Sequence, residues 1–147
     1  MIRTATIEDV PLILKFIKGI AAYEQLSNQV EATEEKIKET LFNDVRHAEV
    51  ILAFDNETPV GFALFFHNYS TFRAKPGVYL EDLFVESEHR GKGFGKSLLL
   101  EVINIAKQRN CGRVEWSVLD WNTPAIDFYK SMGAEAMDGW TTFRITL

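Results

Sequence analysis

Apolar residues fall into two rhythms along the chain. Val10, Ile13, Leu14, Ile17, Ile20 and Ala21 recur every three or four residues, which predicts an amphipathic helix fading near Glu24. Thr6 can cap it, with Glu8 and Asp9 in a first turn where the helix dipole favours negative charge. Thr33, followed by Glu34 and Glu35, starts a second helix that reaches about Leu41. The other rhythm is extended. Residues 2–5, 48–54, 60–68 and 78–85 read as strands, and the turn at 55–58 joins the second and third as a hairpin. Residues 70–77 read as a loop. Residues 94–109 return to helical spacing, burying Phe94, Leu98, Leu99, Val102, Ile103 and Ala106, and Asn110 with Gly112 marks the end. Residues 113–118 alternate as a strand. Thr123 as cap and Pro124 at the first helical position open another helix, which Gly133 ends. Residues 140–146 read as a final strand. The order is β-α-α-β-β-β-α-β-α-β, a mixed α/β class expected to form one domain over 1–147.

Composition narrows the function. A chain of 147 residues, 46% of them hydrophobic, can bury one core. Charged or polar residues interrupt every apolar run before it reaches transmembrane length, and residues 1–6 lack the apolar stretch of a signal peptide. The lone Cys111 excludes an internal disulfide framework and an all-cysteine metal site. His47, His67 and His89 have no metal-ligand spacing, so no metal is expected. These features point to the cytoplasm. The net charge of −5 argues against nucleic acid and for a cationic partner.

The most informative stretch is Arg90-Gly91-Lys92-Gly93-Phe94-Gly95, between a predicted strand and a predicted helix. Such a turn leaves N–H groups unpaired at the positive end of the helix dipole, where they can hold phosphate oxygens. Three phosphate-loop patterns compete. The nucleotide P-loop needs glycine where Arg90 stands, although Gly95-Lys96-Ser97 supplies its end. The dinucleotide fingerprint needs glycine where Lys96 stands. The pattern [Q/R]-x-x-G-x-[G/A] is met by Arg90, Gly93 and Gly95. A glycine-rich connector that binds nothing is the remaining reading.

The element order, this loop and the stretch from Trp121 to Ala134 together resemble the GCN5-related N-acetyltransferase (GNAT) superfamily, and the resemblance spans essentially the whole chain. Residues 79–85 and 122–133 resemble its diamine (spermidine/spermine) branch. The resemblance implies that acetyl-CoA is the cosubstrate, with Arg90, Gly91, Lys92, Gly93, Phe94, Gly95 and Lys96 around its pyrophosphate. It implies that Leu83, Phe84 and Val85 pair with the pantetheine arm as an added strand, and that Asn122 contacts the cofactor. Glu81 is the implied base, acting through water, and Tyr129 the implied proton donor to the CoA thiolate. Tyr23, Glu24, Glu81 and Asp82 would line the amine site. In a regular strand Glu81 and Asp82 point to opposite faces, so only one could enter the cleft unless a bulge intervenes. Gln25-Leu26-Ser27-Asn28 carries less acid than polyamine acetylators do there, which leaves short diamines or thialysine-like amino acids. The expected reaction is direct attack of a primary amine in a ternary complex. A protein lysine or N-terminus is the alternative substrate, and a non-catalytic acyl-CoA sensor the alternative class. A homodimer is implied by resemblance alone.

Overall fold

The computed structural model describes all residues, 1–147, and the chain divides into two compact units, Met1–Ser117 and Val118–Leu147. In the first unit, strand β1 (Ile2–Thr4) leads to helix α1 (Val10–Tyr23), helix α2 (Glu34–Leu41) and strands β2 (Glu49–Asp55), β3 (Thr58–Ser70) and β4 (Lys75–Val85). Helix α3 (Phe94–Gln108) and the short strand β5 (Val114–Glu115) complete it. The sheet runs β1-β2-β3-β4-β5, with every neighbour antiparallel except β4 and β5, which are parallel.

Local chemistry explains the ends of these elements. Thr33 Oγ1 accepts the Lys36 N–H at 3.1 Å and caps α2. The entry to α1 is fixed differently, through a 3-10 turn at Ile7–Asp9. The buried Asp9 carboxylate accepts the Thr6 N–H at 2.8 Å and both Arg3 Nη groups at 2.7 and 2.9 Å. α3 ends at Asn110, whose left-handed φ of 56° lets the Cys111 N–H return to the Ala106 carbonyl.

The core lies on both sheet faces. Val10, Ile13 and Phe16 of α1 and Ile37 and Leu41 of α2 pack with Val50, Leu52, Phe54, Phe62 and Phe84. Phe16, absent from the sequence-based list, is fully buried and stacks on Phe62 with ring centres 5.5 Å apart. The alternate residues Ile51, Ala63 and Phe65, with Leu80, are buried together with Leu98, Leu99, Val102 and Ala106 of α3. Phe94 and Ile103, expected in that core, are only half-buried, because they flank the buried stripe.

Four expectations are corrected. The expected loop at 70–77 is mostly strand: β3 runs to Ser70 and β4 starts at Lys75, leaving a turn with Ala74 in the left-handed region. The strand expected at 113–118 is regular only at Val114–Glu115, because the ladder with β4 stops at Tyr79. In the second unit, helix α4 (Thr123–Ser131) is capped by Asn122, whose Oδ1 accepts the Ala125 N–H, so Thr123 is the first helical residue and Pro124 the second. Residues 140–146 form no strand. Phe143 and Ile145 are about 90% exposed, and an alternating pattern without a ladder partner leaves its backbone groups to water.

Candidate active site

The ladder between β4 and β5 joins only Val78 to Val114 and Tyr79 to Glu115. Beyond Tyr79 the two strands part, and on that side β4 from Leu80 to Val85 has no sheet partner. Its other edge is fully paired with β3. This leaves an unpaired strand edge, and Leu83, Phe84 and Val85 lie on it.

The register of β3 with β4 slips where chemistry is concentrated. Leu64 pairs with Asp82 and Phe65 with Leu80, so Glu81 is an extra residue with no partner across the ladder. Leu80 and Asp82, which regular pleating would put on one face, therefore point to opposite faces. Asp82 lies on the face of Leu64, Phe62 and Phe84, the one packed by α1. The bulge brings Asp82 and Glu81 into electrostatic contact with Glu24, the residue that ends α1. Burial, then the negative charges of Glu81 and Glu24, push the Asp82 carboxyl up to about 7. Burial and then Glu81 also raise Glu24. The three carboxyls lie close enough to repel one another, with Asp82 the most buried and Glu81 exposed, and a bound cation would relieve that repulsion.

The glycine loop follows β4 after a 3-10 turn at Ser87–His89. The N–H groups of residues 91–96 have no backbone partner, and no side chain caps α3. Gly91 and Gly93 have φ of 76° and 89°, and a Cβ on either would meet nothing within 4 Å. Glycine is therefore needed here for its left-handed conformation rather than for lack of room. The resulting row of free donors at the helix N-terminus suits a diphosphate. Two proximities that sequence reasoning missed flank the loop: His89 Nδ1 lies 3.5 Å from Asp55 Oδ2 without a hydrogen bond, and Lys15 Nζ lies 3.2 Å from Glu86 Oε1. No spacing in the sequence links these pairs, because the hairpin and α1 bring them together.

Arg90 is the first residue of the glycine loop. Its Nε donates to the Val85 carbonyl at 2.8 Å. Its guanidinium lies 4.7 Å from the centre of the Tyr23 ring and 5.6 Å from that of Phe84. The side chain thus runs back onto β4 and the end of α1.

Tyr23, Glu24, Glu81 to Val85 and Arg90 to Lys96 all belong to the first unit. Tyr129 and Asn122 belong to the second, where Tyr129 lies on α4 with its ring 5.4 Å from that of Phe128. A cleft of about 280 Å³ lined by Arg3, Glu49, Ile105 and Arg109 contains none of these residues. No group of three or more His, Cys, Asp or Glu side chains is arranged to hold a metal ion, and no helix is long and apolar enough to cross a membrane.

An unpaired strand edge beside a glycine loop at a helix N-terminus can hold an extended, phosphorylated ligand. The model of the acetyltransferase (GNAT) family matches residues 19–134, and the chain belongs to that family. It is 36% identical over 191 residues to the L-ornithine N5-acetyltransferase NATA1 of Arabidopsis thaliana, covering 99% of this chain and 83% of the relative. It is 37% identical to the thialysine N-epsilon-acetyltransferase of Bos taurus, covering 98% of this chain and 91% of that one. Among solved structures, an integron cassette protein from the mobile metagenome of V. cholerae superposes with a TM-score of 0.82 at 27% identity, covering 99% and 91% of the two chains. An aminoglycoside acetyltransferase from a soil metagenome gives 0.83 at 22% identity, covering 100% and 95%, and so shares the fold. The chain is an N-acetyltransferase of the diamine-acetyltransferase-like branch.

Proposed function

We propose that this chain transfers the acetyl group of acetyl-CoA to the terminal primary amine of a small molecule by direct attack in a ternary complex. The observation that carries the reading is the bulge at Glu81, which gathers three carboxylates beside the open edge of β4. The ammonium form of the substrate is attracted there, and the relatives named for ornithine and thialysine support a small amine as that substrate.

The free edge at Leu83, Phe84 and Val85 would hold the pantetheine arm, and the unpaired N–H groups of residues 91–96 its diphosphate. The amine must lose a proton before its lone pair can attack. Moving that proton from an ammonium of pKa about 10.4 to an ordinary glutamate costs about 8 kcal/mol. Moving it to a carboxylate raised to about 7 costs roughly 4–5 kcal/mol. Of the adjacent pair, Asp82 is therefore the better matched acceptor, with Glu81 relaying through water. The nitrogen then bonds to the thioester carbon, the C–S bond breaks, and Tyr129 donates a proton to the departing thiolate. Asn122 would serve the cofactor in addition to capping α4. We include a homodimer in the proposal, and sedimentation tests it.

The test is thiol release with ornithine, thialysine, spermidine and a histone-like peptide. Turnover of the small amines is expected. Coenzyme A binding by calorimetry with no thiol release from any amine would overturn the reading.

A further inference from the structure

The hairpin of β3 and β4 outruns its neighbour. The ladder with β2 begins at Glu49, opposite Phe65, so residues 66–70 of β3 have only β4 beside them. That stretch of strand carries the turn roughly 17 Å past the end of β2. On the turn stands Phe72, the most exposed apolar side chain of the first unit, with the exposed Tyr69 three residues before it. The charge around that ring is one-sided. No acidic residue lies between Glu57 and Glu81, and none between Glu101 and Glu115. The structure joins these two stretches. The Gly112 N–H donates to the Pro76 carbonyl at 2.8 Å, Arg73 Nη1 to the Gly112 carbonyl at 3.5 Å, and Lys75 Nζ to Asn110 Oδ1 at 3.5 Å. Arg109 and Arg113 are neutralised by Glu49 and Glu115. Arg73, Lys75 and Lys107, the last in the final turn of α3, have no ion-pair partner. An acidic chain thus concentrates uncompensated positive charge around a projecting aromatic ring.

The shape chooses among anionic partners. Acidic peptides and single strands of nucleic acid are held in grooves or along sheet edges and faces, and a hairpin tip offers none of these. A layer of lipid headgroups yields to a projection: aromatic rings enter it while lysine and arginine stay level with its negative charge. We propose that the β3–β4 tip docks this protein onto anionic membrane surfaces, with Phe72 and Tyr69 entering the headgroup layer and Arg73, Lys75 and Lys107 pairing with its charge. The acidic remainder of the surface is repelled by such a layer, so only the tip can lead. The glycine loop lies at the other end of α3, 15 residues or about 22 Å away, and stays clear of the lipid. The proposal is independent of the acetyl-transfer reading.

The experiment is co-sedimentation of the full chain with vesicles of phosphatidylcholine alone or mixed with phosphatidylglycerol. Wild type is expected to pellet with the mixed vesicles and to stay in solution with the neutral ones. Raising salt from about 50 to about 500 mM should release it. Phe72→Ser, which removes no contact within the fold, should weaken vesicle binding about tenfold. The double variant Arg73→Gln, Lys75→Gln should weaken it about thirtyfold, and Lys107→Gln about fivefold. Lys107→Gln serves as the charge test if the double variant is unfolded by melting curves. Thiol release without vesicles should be unchanged in all of them. Wild type left in solution by the mixed vesicles, or pelleting equally with both kinds, would overturn the proposal. So would Phe72→Ser binding as wild type does. Tight binding of single-stranded RNA with the vesicles ignored would assign the tip to nucleic acid instead. Pelleting without any vesicle, abolished by Phe72→Ser, would assign it to self-association and equally reject the membrane.

Discussion

Two aspartates in this chain respond to pH with opposite sign. Hydrogen bonds from Arg3 hold Asp9 below the ordinary carboxylate range. Its contribution to stability is present above the unfolded pKa and is lost as pH falls through the folded one. Asp9→Asn should therefore cost about 1–3 kcal/mol at pH 7, read as a lower Tm, and cost progressively less as pH falls through the folded pKa of Asp9. Asp82 is the reverse case. Its folded pKa is raised, so the folded state loses stability as pH climbs from about 4 towards 7. Asp82→Asn should raise stability at pH 8 by of the order of 2–4 kcal/mol and leave it unchanged at pH 4. The same variant should lower kcat/KM about 100-fold or more, the usual weight of a positioned proton acceptor. A variant that is destabilised at pH 8, or as active as wild type, would contradict the burial argument and the acceptor role respectively.

At the scale of elements, the site depends on how closely β3 and β4 approach. A Cβ on Gly61 would lie 2.4 Å from the Phe84 carbonyl oxygen, a backbone atom that can move only with its strand. Gly61→Ala should lower stability by more than about 1–3 kcal/mol and raise the KM for acetyl-CoA, because the edge at Phe84 and Val85 shifts. An unchanged KM in a folded variant would detach the cofactor from that strand. Much of this level was legible in the sequence. The helix caps, the hairpin and the glycine loop are local, and Thr33, Asn110 and Gly133 act where their chemistry predicts. The bulge at Glu81 was not legible, because a register slip is decided by the partner strand, and Leu64 and Phe65 carry no mark of it. The lean of Arg90 onto Tyr23 was hidden for the same reason, since the two are far apart in sequence. The alternation at 140–146 misled because propensity supplies no partner for a ladder.

For the whole molecule, the excess of 21 acidic over 16 basic residues should draw cationic substrates in. The KM for the amine should then rise between 50 and 500 mM salt while kcat changes little. Saturating acetyl-CoA should stabilise the fold by about 2.7 kcal/mol at one hundred times its Kd, visible as a higher Tm. No shift in Tm would mean that the folded chain does not bind the cofactor. The parting of β4 from β5 has a consequence for handling the protein. Six residues of bare ladder are an invitation to any stray extended peptide, a neighbouring molecule included. A preparation stripped of coenzyme A should cloud sooner on warming than one kept with it, so the cofactor would double as the stopper that keeps the empty enzyme from clumping.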